Sequence, residues 1–135
     1  MKTIKAEYNG KLRCKVEHEV SGSSVVTDTN KNNTSTGFTP PELFAISFLT
    51  CVGTMMGYEA EALKLDISGM KMEVSFDMSK DLPRRIAKIE AQLWIPCKVG
   101  DHHKELLMKV AKNCPIRHSI HPDIDESINF HWLEG

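Results

Sequence analysis

The sequence predicts an α+β fold in which helices pack on mostly antiparallel β-sheet. Three observations support this class. Met70 to Ser79 alternates apolar and polar residues, which is typical of a strand with one buried and one wet face. Phe38 to Leu63 is a long apolar segment that begins with helix start signals. Asp101 to Asn113 carries a single apolar stripe at helical spacing.

The long helix is predicted from its first turn onward. Thr39 is a good N-cap, Pro40 suits the first helical position, and Glu42 completes a capping box. Leu43 to Met56 contains no charged residue, and a helix that is apolar on every side is expected to be buried on every side. The segment is predicted to be too short and too mixed to span a membrane, which requires roughly 20 predominantly apolar residues.

The other elements are predicted from alternation, turn residues and proline. Asn9-Gly10 and Ser21-Gly22 are expected to form turns, and Asp101 is expected to cap its helix. In order, the prediction is strands at Lys2–Tyr8, Lys11–Val20 and Ser23–Asp28, a loop at Thr29–Gly37, the long helix, strands at Met70–Ser79 and Arg85–Ile95, helices at Asp101–Asn113 and Ile116–Ile120, and a strand at Ile124–Leu133. Because we find no repeat or linker, residues 1–135 are predicted to form a single domain.

The charge balance and the cysteine content restrict the class of protein. Seventeen Lys and Arg against 18 Asp and Glu give a formal net charge of -1, which offers no electrostatic reason to expect a nucleic-acid or membrane partner. The polar segment Met1 to Gly10 does not have the pattern of a signal peptide. Four cysteines without a secretory signal favour reduced thiols, so we expect a cytoplasmic protein.

The apolar helix also predicts an oligomer. One sheet covers only one side of a helix, so a second copy of the chain is expected to cover the other side. The sequence therefore predicts a homodimer whose core includes this helix.

Cys51 and Cys114 are the strongest candidates for chemistry. Cys51 lies in the middle of the long helix, and Cys114 lies directly before Pro115, where the unpaired N–H groups of a new helix favour an anionic sulfur. Two cysteines on separate helices could alternate between dithiol and disulfide if they meet in the fold. The alternative is that Cys51 is a small core residue, because free cysteine is among the most buried residue types.

The segments around both cysteines resemble those of the OsmC/Ohr family of thiol-dependent organic hydroperoxide reductases. The likeness consists of PPELFAISFLTC, NCPIRH and the order of the elements. It implies an OsmC-like fold with antiparallel sheets packed around a long central helix in an intertwined homodimer. It further implies that Cys51 is the peroxidatic cysteine and Cys114 the resolving cysteine, with an organic hydroperoxide as substrate, an external dithiol as reductant and no cofactor.

A thiolate in an apolar helix needs a nearby cation, because desolvation raises the pKa of a thiol. The family takes an arginine from the N-terminal strands, so the resemblance suggests Arg13, and Arg117 is the second candidate. Arg13 could equally be a solvated strand residue. Four apolar residues of the long helix are within reach of a substrate site and would favour organic peroxides: Phe44, Phe48, Met55 and Met56.

One position departs from the family pattern. Related reductases often carry a glutamate ten positions before the reactive cysteine, where it pairs with the arginine, but here that position is Pro41. Glu42 is one position later, and we expect it to serve the helix cap. The alternative function is therefore an OsmC-like protein that binds a small ligand or senses redox state without peroxidase activity.

The histidines form a competing arrangement. Cys114, His118 and His121 have the spacing C-x3-H-x2-H, and His102 and His103 are in the neighbouring helix. Because Pro122 disturbs the helical geometry that a shared face requires, we predict no metal site. The two remaining cysteines are predicted to be packing residues: Cys14 and Cys97.

Overall fold

The structure is a computed structural model, which describes residues 1–29 and 35–134. Residues 30–34 of the predicted loop lie outside the described residues. In order, the elements are strands β1 (Ala6–Gly10), β2 (Arg13–Glu17) and β3 (Ser24–Asp28), helix α1 (Pro40–Ala62), strands β4 (Lys71–Met78) and β5 (Ile86–Trp94), helices α2 (Asp101–Ala111) and α3 (Pro115–Ser119), and strand β6 (Asp125–His131). The predicted α+β class and the order of the elements are confirmed.

The chain divides into two compact units, Met1–Phe44 and Ala45–Gly135. The first unit contains an antiparallel sheet in the order β1-β2-β3. The second contains a sheet in the order β4-β5-β6, together with most of α1 and both later helices. A single domain over residues 1–135 stays a prediction.

The first hairpin turn is not where the sequence predicted it. Strand β1 continues through Asn9 and Gly10, and the chain turns at Lys11 and Leu12, which both have positive φ. A two-residue turn with positive φ at both positions matches the right-handed twist of the strands that it joins. The predicted turn at Asn9-Gly10 was wrong because Gly10 uses its positive φ of 82° at the end of the strand, beside an irregularity in the pairing.

The predicted capping box at the start of α1 is confirmed in both directions. The backbone N–H of Glu42 donates to Thr39 Oγ1 at 3.2 Å, and the backbone N–H of Thr39 donates to Glu42 Oε1 at 2.8 Å. These two hydrogen bonds satisfy N–H groups that the start of a helix otherwise leaves unpaired.

The core of the second unit lies between α1, β5 and α2. Its fully buried members come from all three elements, including Phe48, Val52 and Met56 from α1 and Leu107 from α2. Full burial of an apolar side chain of this size contributes about 1.5–3 kcal/mol. β4 pairs with β5 antiparallel, whereas β5 pairs with β6 parallel. A parallel pair needs a crossover connection, which here contains α2 and α3.

The expectation that α1 is buried on every side is wrong within one chain. Its buried residues form one stripe at helical spacing: Ala45, Phe48, Leu49, Val52, Met56 and Ala60. On the remaining surface Thr50, Thr54 and Tyr58 are exposed. The length argument against a membrane span was also wrong, since α1 has 23 residues and is long and apolar enough by those two measures alone. Core helices of soluble proteins pass the same test.

The N-cap of the helix before Cys114 lies one residue earlier than predicted. Gly100, rather than Asp101, is the N-cap of α2, and the backbone N–H of Lys104 donates to the Gly100 carbonyl at 2.9 Å. No side chain caps this end. Asp101 instead lies in the first turn, where a negative charge interacts favourably with the helix dipole.

Candidate functional site

Cys51 lies in the middle of α1, beside the buried stripe. It is partly exposed and packs against the core of the second unit. The helix gives it a fixed backbone, since residues from Pro40 to Ala62 form one uninterrupted element. Its neighbour Val52 is completely buried and Thr50 is exposed, so Cys51 lies at the boundary between core and surface.

Cys114 lies at the break between α2 and α3 and is completely buried. It is the N-cap of α3 and has extended backbone angles, with φ −70° and ψ 142°. Pro115 disfavours helical angles for the residue before it, which explains why α2 ends and a new helix begins here. The backbone N–H of Arg117 donates to Cys114 Sγ at 3.2 Å.

The structure brings the two cysteines together, as a redox pair requires. Their side chains are near enough for Cys51 to act on the ionisation of Cys114, and both are free thiols. Burial raises the pKa of the Cys114 thiol. The hydrogen bond to Cys51 and the negative charge of an ionised Cys51 raise the same pKa, whereas backbone N–H groups of Arg117 and Ile116 lower it. Together these effects hold the pKa of Cys114 above its ordinary value.

Arg117 ties the segment around Cys114 to the last strand. Its Nε forms an ion pair with Glu126 Oε1 on β6, and its Nη1 donates to the Lys112 carbonyl at 2.7 Å. Glu126 Oε2 is buried and has no hydrogen-bond partner within the part of the chain that the structure describes. The backbone and the side chain of Arg117 thus join Cys114, the end of α2 and β6.

Arg13 belongs to the first unit and has a carboxylate partner there. Its Nε donates to Asp28 Oδ2 at 3.0 Å across the β2–β3 pair. The Asp28 side chain is fully buried, and the same oxygen accepts from the backbone N–H and the hydroxyl of Thr36 at 3.1 and 2.9 Å. Arg13 is therefore part of a buried polar network, and its role beside Cys51 stays a prediction.

The predicted substrate residues differ in exposure. Phe48 and Met56 are completely buried, on the side of α1 that faces the core. Phe44 and Met55 are partly exposed, and Met55 packs against the same core. The function of all four in binding a substrate stays a prediction.

Among the described residues, the histidines and the two other cysteines belong to no group of three potential metal ligands. Within residues 1–29 and 35–134, no three His, Cys, Asp or Glu side chains are arranged to hold a metal ion. His118 contacts Asn113 Oδ1 at 2.7 Å, and His121 accepts from the backbone N–H of Asp123 at 3.0 Å. Cys14 lies in β2, and Cys97 packs against the core.

Two carboxylates of these networks escaped the sequence analysis. Asp28 could have been found only from the correct register of the β2–β3 hairpin, which pairs it with Arg13. Glu126 had a clearer signal. It has the same alternation as Ile128 and Phe130 in the last strand, and a charged residue on an apolar face usually has a partner.

Comparison with known proteins gives a consistent result. The sequence profile described as OsmC-like protein matches residues 31–129. No curated protein matches the chain. Among solved structures, a proposed osmotic stress induced and detoxification response protein from Psychrobacter arcticus has 32% sequence identity and a TM-score of 0.88, with 97% of this chain and 96% of that chain covered.

Two more distant structures share the fold. An OsmC-like protein from Mycoplasma pneumoniae has 18% identity and a TM-score of 0.82, with 98% of this chain and 96% of that chain covered. An organic hydroperoxide resistance protein from Legionella pneumophila has 15% identity and a TM-score of 0.71, with 97% and 98% covered. The OsmC-like fold that the resemblance predicted is confirmed for the single chain, and the intertwined homodimer stays a prediction.

Proposed function

Because the chain belongs to the OsmC-like protein family, we propose that it is a thiol-dependent peroxidase that reduces organic hydroperoxides to alcohols. The observation that carries the proposal is the contact between the side chains of Cys51 and Cys114, which come from separate helices. The name of the Legionella structure, an organic hydroperoxide resistance protein, supports the same substrate class.

The proposed reaction begins at Cys51. Its thiolate attacks the outer oxygen of the hydroperoxide, the O–O bond breaks, and the alcohol leaves after it takes up a proton. Cys51 is then a sulfenic acid. Cys114 attacks this sulfur, a disulfide forms and water leaves. An external dithiol reduces the disulfide and is itself oxidised to a disulfide.

The contacts around the thiols support this division of roles. Burial and the neighbouring Cys51 raise the pKa of Cys114, which makes Cys114 poorly suited to be the thiolate that attacks first. Cys51 is also the more exposed of the two, as a sulfur that meets the substrate must be. The apolar residues around it favour an organic peroxide over the small, polar hydrogen peroxide.

The test is to mix the reduced protein with cumene hydroperoxide. We expect two thiols per chain to disappear, a Cys51–Cys114 disulfide in the peptide map, and steady turnover when dithiothreitol is supplied. Cys51→Ser is expected to abolish turnover. Cys97→Ser is the matched control, since Cys97 is also a partly exposed free thiol of the second unit, and it should keep full activity. Peroxide that remains unconsumed would contradict the proposal.

A second function is favoured by the state of Glu42. Both hydrogen bonds of the capping box engage this residue with Thr39, and position 41 is proline, so the upstream carboxylate of the family's reductases is missing here. A redox-sensing protein would form the disulfide, but too slowly to sustain turnover, whereas a small-ligand-binding protein would leave the peroxide intact. A Cys51–Cys114 disulfide that forms without measurable turnover in excess dithiothreitol would favour the sensor.

We also propose that the chain acts as a homodimer through the uncovered side of α1. A groove of ≈ 390 Å³ lies beside the second half of α1, between it and the segment that follows, and Gly53 and Gly57 are among its lining residues. At Gly53 an added Cβ would approach Met72 Sδ to 2.6 Å, so this glycine makes room for a side chain of the same chain. At Gly57 an added Cβ would meet nothing within 4 Å, which leaves this position open to a partner.

Sedimentation of the purified protein tests the dimer. The 15.2 kDa chain is expected to sediment at twice its mass. Gly57→Leu should produce a folded monomer, because the added side chain meets empty space within its own chain and a second copy in the dimer. A Gly57→Leu protein that remains a dimer would exclude this face as the interface.

A further inference from the structure

The two sulfurs of the proposed disulfide differ in how easily a reductant can reach them. Cys51 is partly exposed, whereas Cys114 has no exposed surface. A second copy of the chain could cover Cys51 further, but it could not expose Cys114. An attacking thiolate must approach one of the two sulfurs, and the sulfur that it attacks is set largely by access.

The contacts of the two sulfurs also differ. Cys114 Sγ accepts a hydrogen bond from the backbone N–H of Arg117 at 3.2 Å, and the N–H of Ile116 also favours its ionised form. A sulfur that leaves a disulfide takes the electron pair of the S–S bond, and hydrogen-bond donors stabilise the resulting anion. Cys114 therefore lacks the access that an attacked sulfur needs. Burial raises its pKa and so opposes its departure as a thiolate, but the two N–H donors offset part of this effect.

The donor N–H is held in place by its own side chain. The Arg117 guanidinium bonds to Glu126 Oε1 and to the Lys112 carbonyl, so the residue is fixed to β6 and to the end of α2. Both anchors lie in the same compact unit as the two cysteines. A change at Glu126 would loosen Arg117 without removing the N–H group itself.

We propose that the external dithiol attacks Cys51 Sγ and expels Cys114 as the leaving thiolate, and that Arg117 and Glu126 are positioning residues for this step. The inference rests on the proposed function, since it concerns the same disulfide. The attacking thiolate forms a bond to Cys51 Sγ, the Cys51–Cys114 bond breaks, and Cys114 takes the electron pair and then a proton. The second thiol of the reductant releases Cys51 and closes the disulfide of the oxidised reductant.

A trapping experiment identifies the attacked sulfur. The protein carries Cys14→Ser and Cys97→Ser, so only the two thiols of interest remain, and diamide rather than peroxide forms the disulfide. A brief reaction with 2-mercaptoethanol is quenched with acid, and free thiols are labelled with N-ethylmaleimide. We expect the mercaptoethanol adduct on Cys51 and the maleimide on Cys114.

The adduct on Cys114 would overturn the inference, and so would the failure of diamide to join the two sulfurs. Neither result depends on peroxidase activity, because the oxidant is not a peroxide. Conversely, a protein that ignores cumene hydroperoxide but gives the expected adduct would contradict the proposed function and leave this inference standing.

The proposed role of Arg117 and Glu126 is tested by measuring separately the rate of oxidation by peroxide and the rate of reduction by dithiothreitol. Glu126→Gln is expected to slow reduction of the disulfide by dithiothreitol about two- to tenfold, the effect of a weakened hydrogen bond, and to slow oxidation by cumene hydroperoxide less. Asp81→Asn is the matched control, because it removes the carboxylate of an exposed arginine pair with Arg85, and it should change neither rate. Equal slowing of both halves, or no slowing of reduction, would overturn the positioning role.

Discussion

Each compact unit contains an arginine bonded to a carboxylate, but the two pairs differ in how fully the carboxylate is satisfied. Asp28 is completely buried, and one of its oxygens accepts from Arg13 and twice from Thr36. Glu126 bonds to Arg117 through one oxygen and leaves the other buried oxygen without a partner among the described residues. The first arrangement is that of a structural network, since buried polar groups are normally bonded.

The second pair, Arg117 and Glu126, is bonded directly to one of the thiols. Arg117 donates its backbone N–H to Cys114, so this incompletely bonded pair is in direct contact with a candidate reactive sulfur. A buried oxygen without a hydrogen bond lowers the stability of the fold. Such an oxygen therefore calls for an explanation, and a functional site is one. The comparison therefore links the first pair mainly to stability, and it agrees with the positioning role that we propose for the second pair.

The largest expected effect is on stability at the first pair. Arg13→Ala should lower the free energy of unfolding by about 3 kcal/mol, because it removes an ion pair with the fully buried carboxylate of Asp28. Urea denaturation followed by circular dichroism measures this change. Arg85→Ala removes an exposed ion pair and should have no measurable effect. Equal stability of the Arg13→Ala protein and the unmodified protein would break the comparison.

A smaller loss of stability is expected at the second pair. Arg117→Ala should lower the free energy of unfolding by about 2 kcal/mol, because Arg117 is more exposed than Arg13 and Glu126 is less buried than Asp28. The same denaturation measurement applies. A loss larger than that of Arg13→Ala would show that the second pair, too, is primarily structural.

A still smaller effect is expected at the third carboxylate, Glu42. Thr39→Ala should destabilise the protein by about 1 kcal/mol, the usual effect of losing an N-cap side chain. Glu42→Gln keeps an acceptor for the Thr39 N–H, so both stability and peroxide turnover should remain near their original values. A Glu42→Gln protein that is stable but inactive would assign Glu42 to the chemistry and not to the cap.

The smallest expected change is in the ionisation of Cys114. Cys51→Ser removes the negative charge that raises the pKa of Cys114, so the Cys114 thiolate should appear at lower pH than in the unmodified protein. Burial remains, so its pKa should stay above the ordinary value of 9.0. Thiolate absorbance measures the titration with and without Cys51→Ser, in proteins that both carry Cys14→Ser and Cys97→Ser. An unchanged titration would mean that the two thiols do not interact.

The same raised pKa makes stability depend on pH. The folded chain holds the Cys114 proton more tightly than the unfolded chain, so the free energy of unfolding should be unaffected below pH 9.0 and should fall as the pH rises above it. The fall should be smaller in the Cys51→Ser protein.

The sequence was sufficient where the signal is local. The start of α1 depends on Thr39, Pro40 and Glu42, which are contiguous, and the break at Cys114-Pro115 depends on one steric rule. Both were predicted correctly. The alternation of β4 likewise contains its own evidence, since every second residue is apolar.

The carboxylate partners could not be predicted because they depend on register. A two-residue turn at Ser21-Gly22 would place Asp28 opposite Lys15. The chain instead turns over residues 19–22, with the His18 N–H donating to the Ser23 carbonyl at 2.7 Å, and this shift places Asp28 opposite Arg13. Local residues do not determine such a shift, whereas contacts across the sheet do.

The burial of α1 failed as a prediction for a related reason. The apolar composition of α1 predicts that its surface is buried, but it does not predict which part of the protein or of a partner covers that surface. Within one chain the core accounts for one stripe, and Tyr58 on the other side remains 69% exposed. The rest of the expectation depends on a second copy.

Cys114 occupies a position that folding alone would give to another residue. The start of a helix favours serine, threonine, aspartate or asparagine, whose oxygen accepts the N–H bond better than sulfur does. We therefore expect Cys114→Ser to keep α3 and to be at least as stable as the parent. Under the proposed reaction the thiol serves both as a reagent and as a cap, so a folded Cys114→Ser protein that loses turnover would have lost only the reagent.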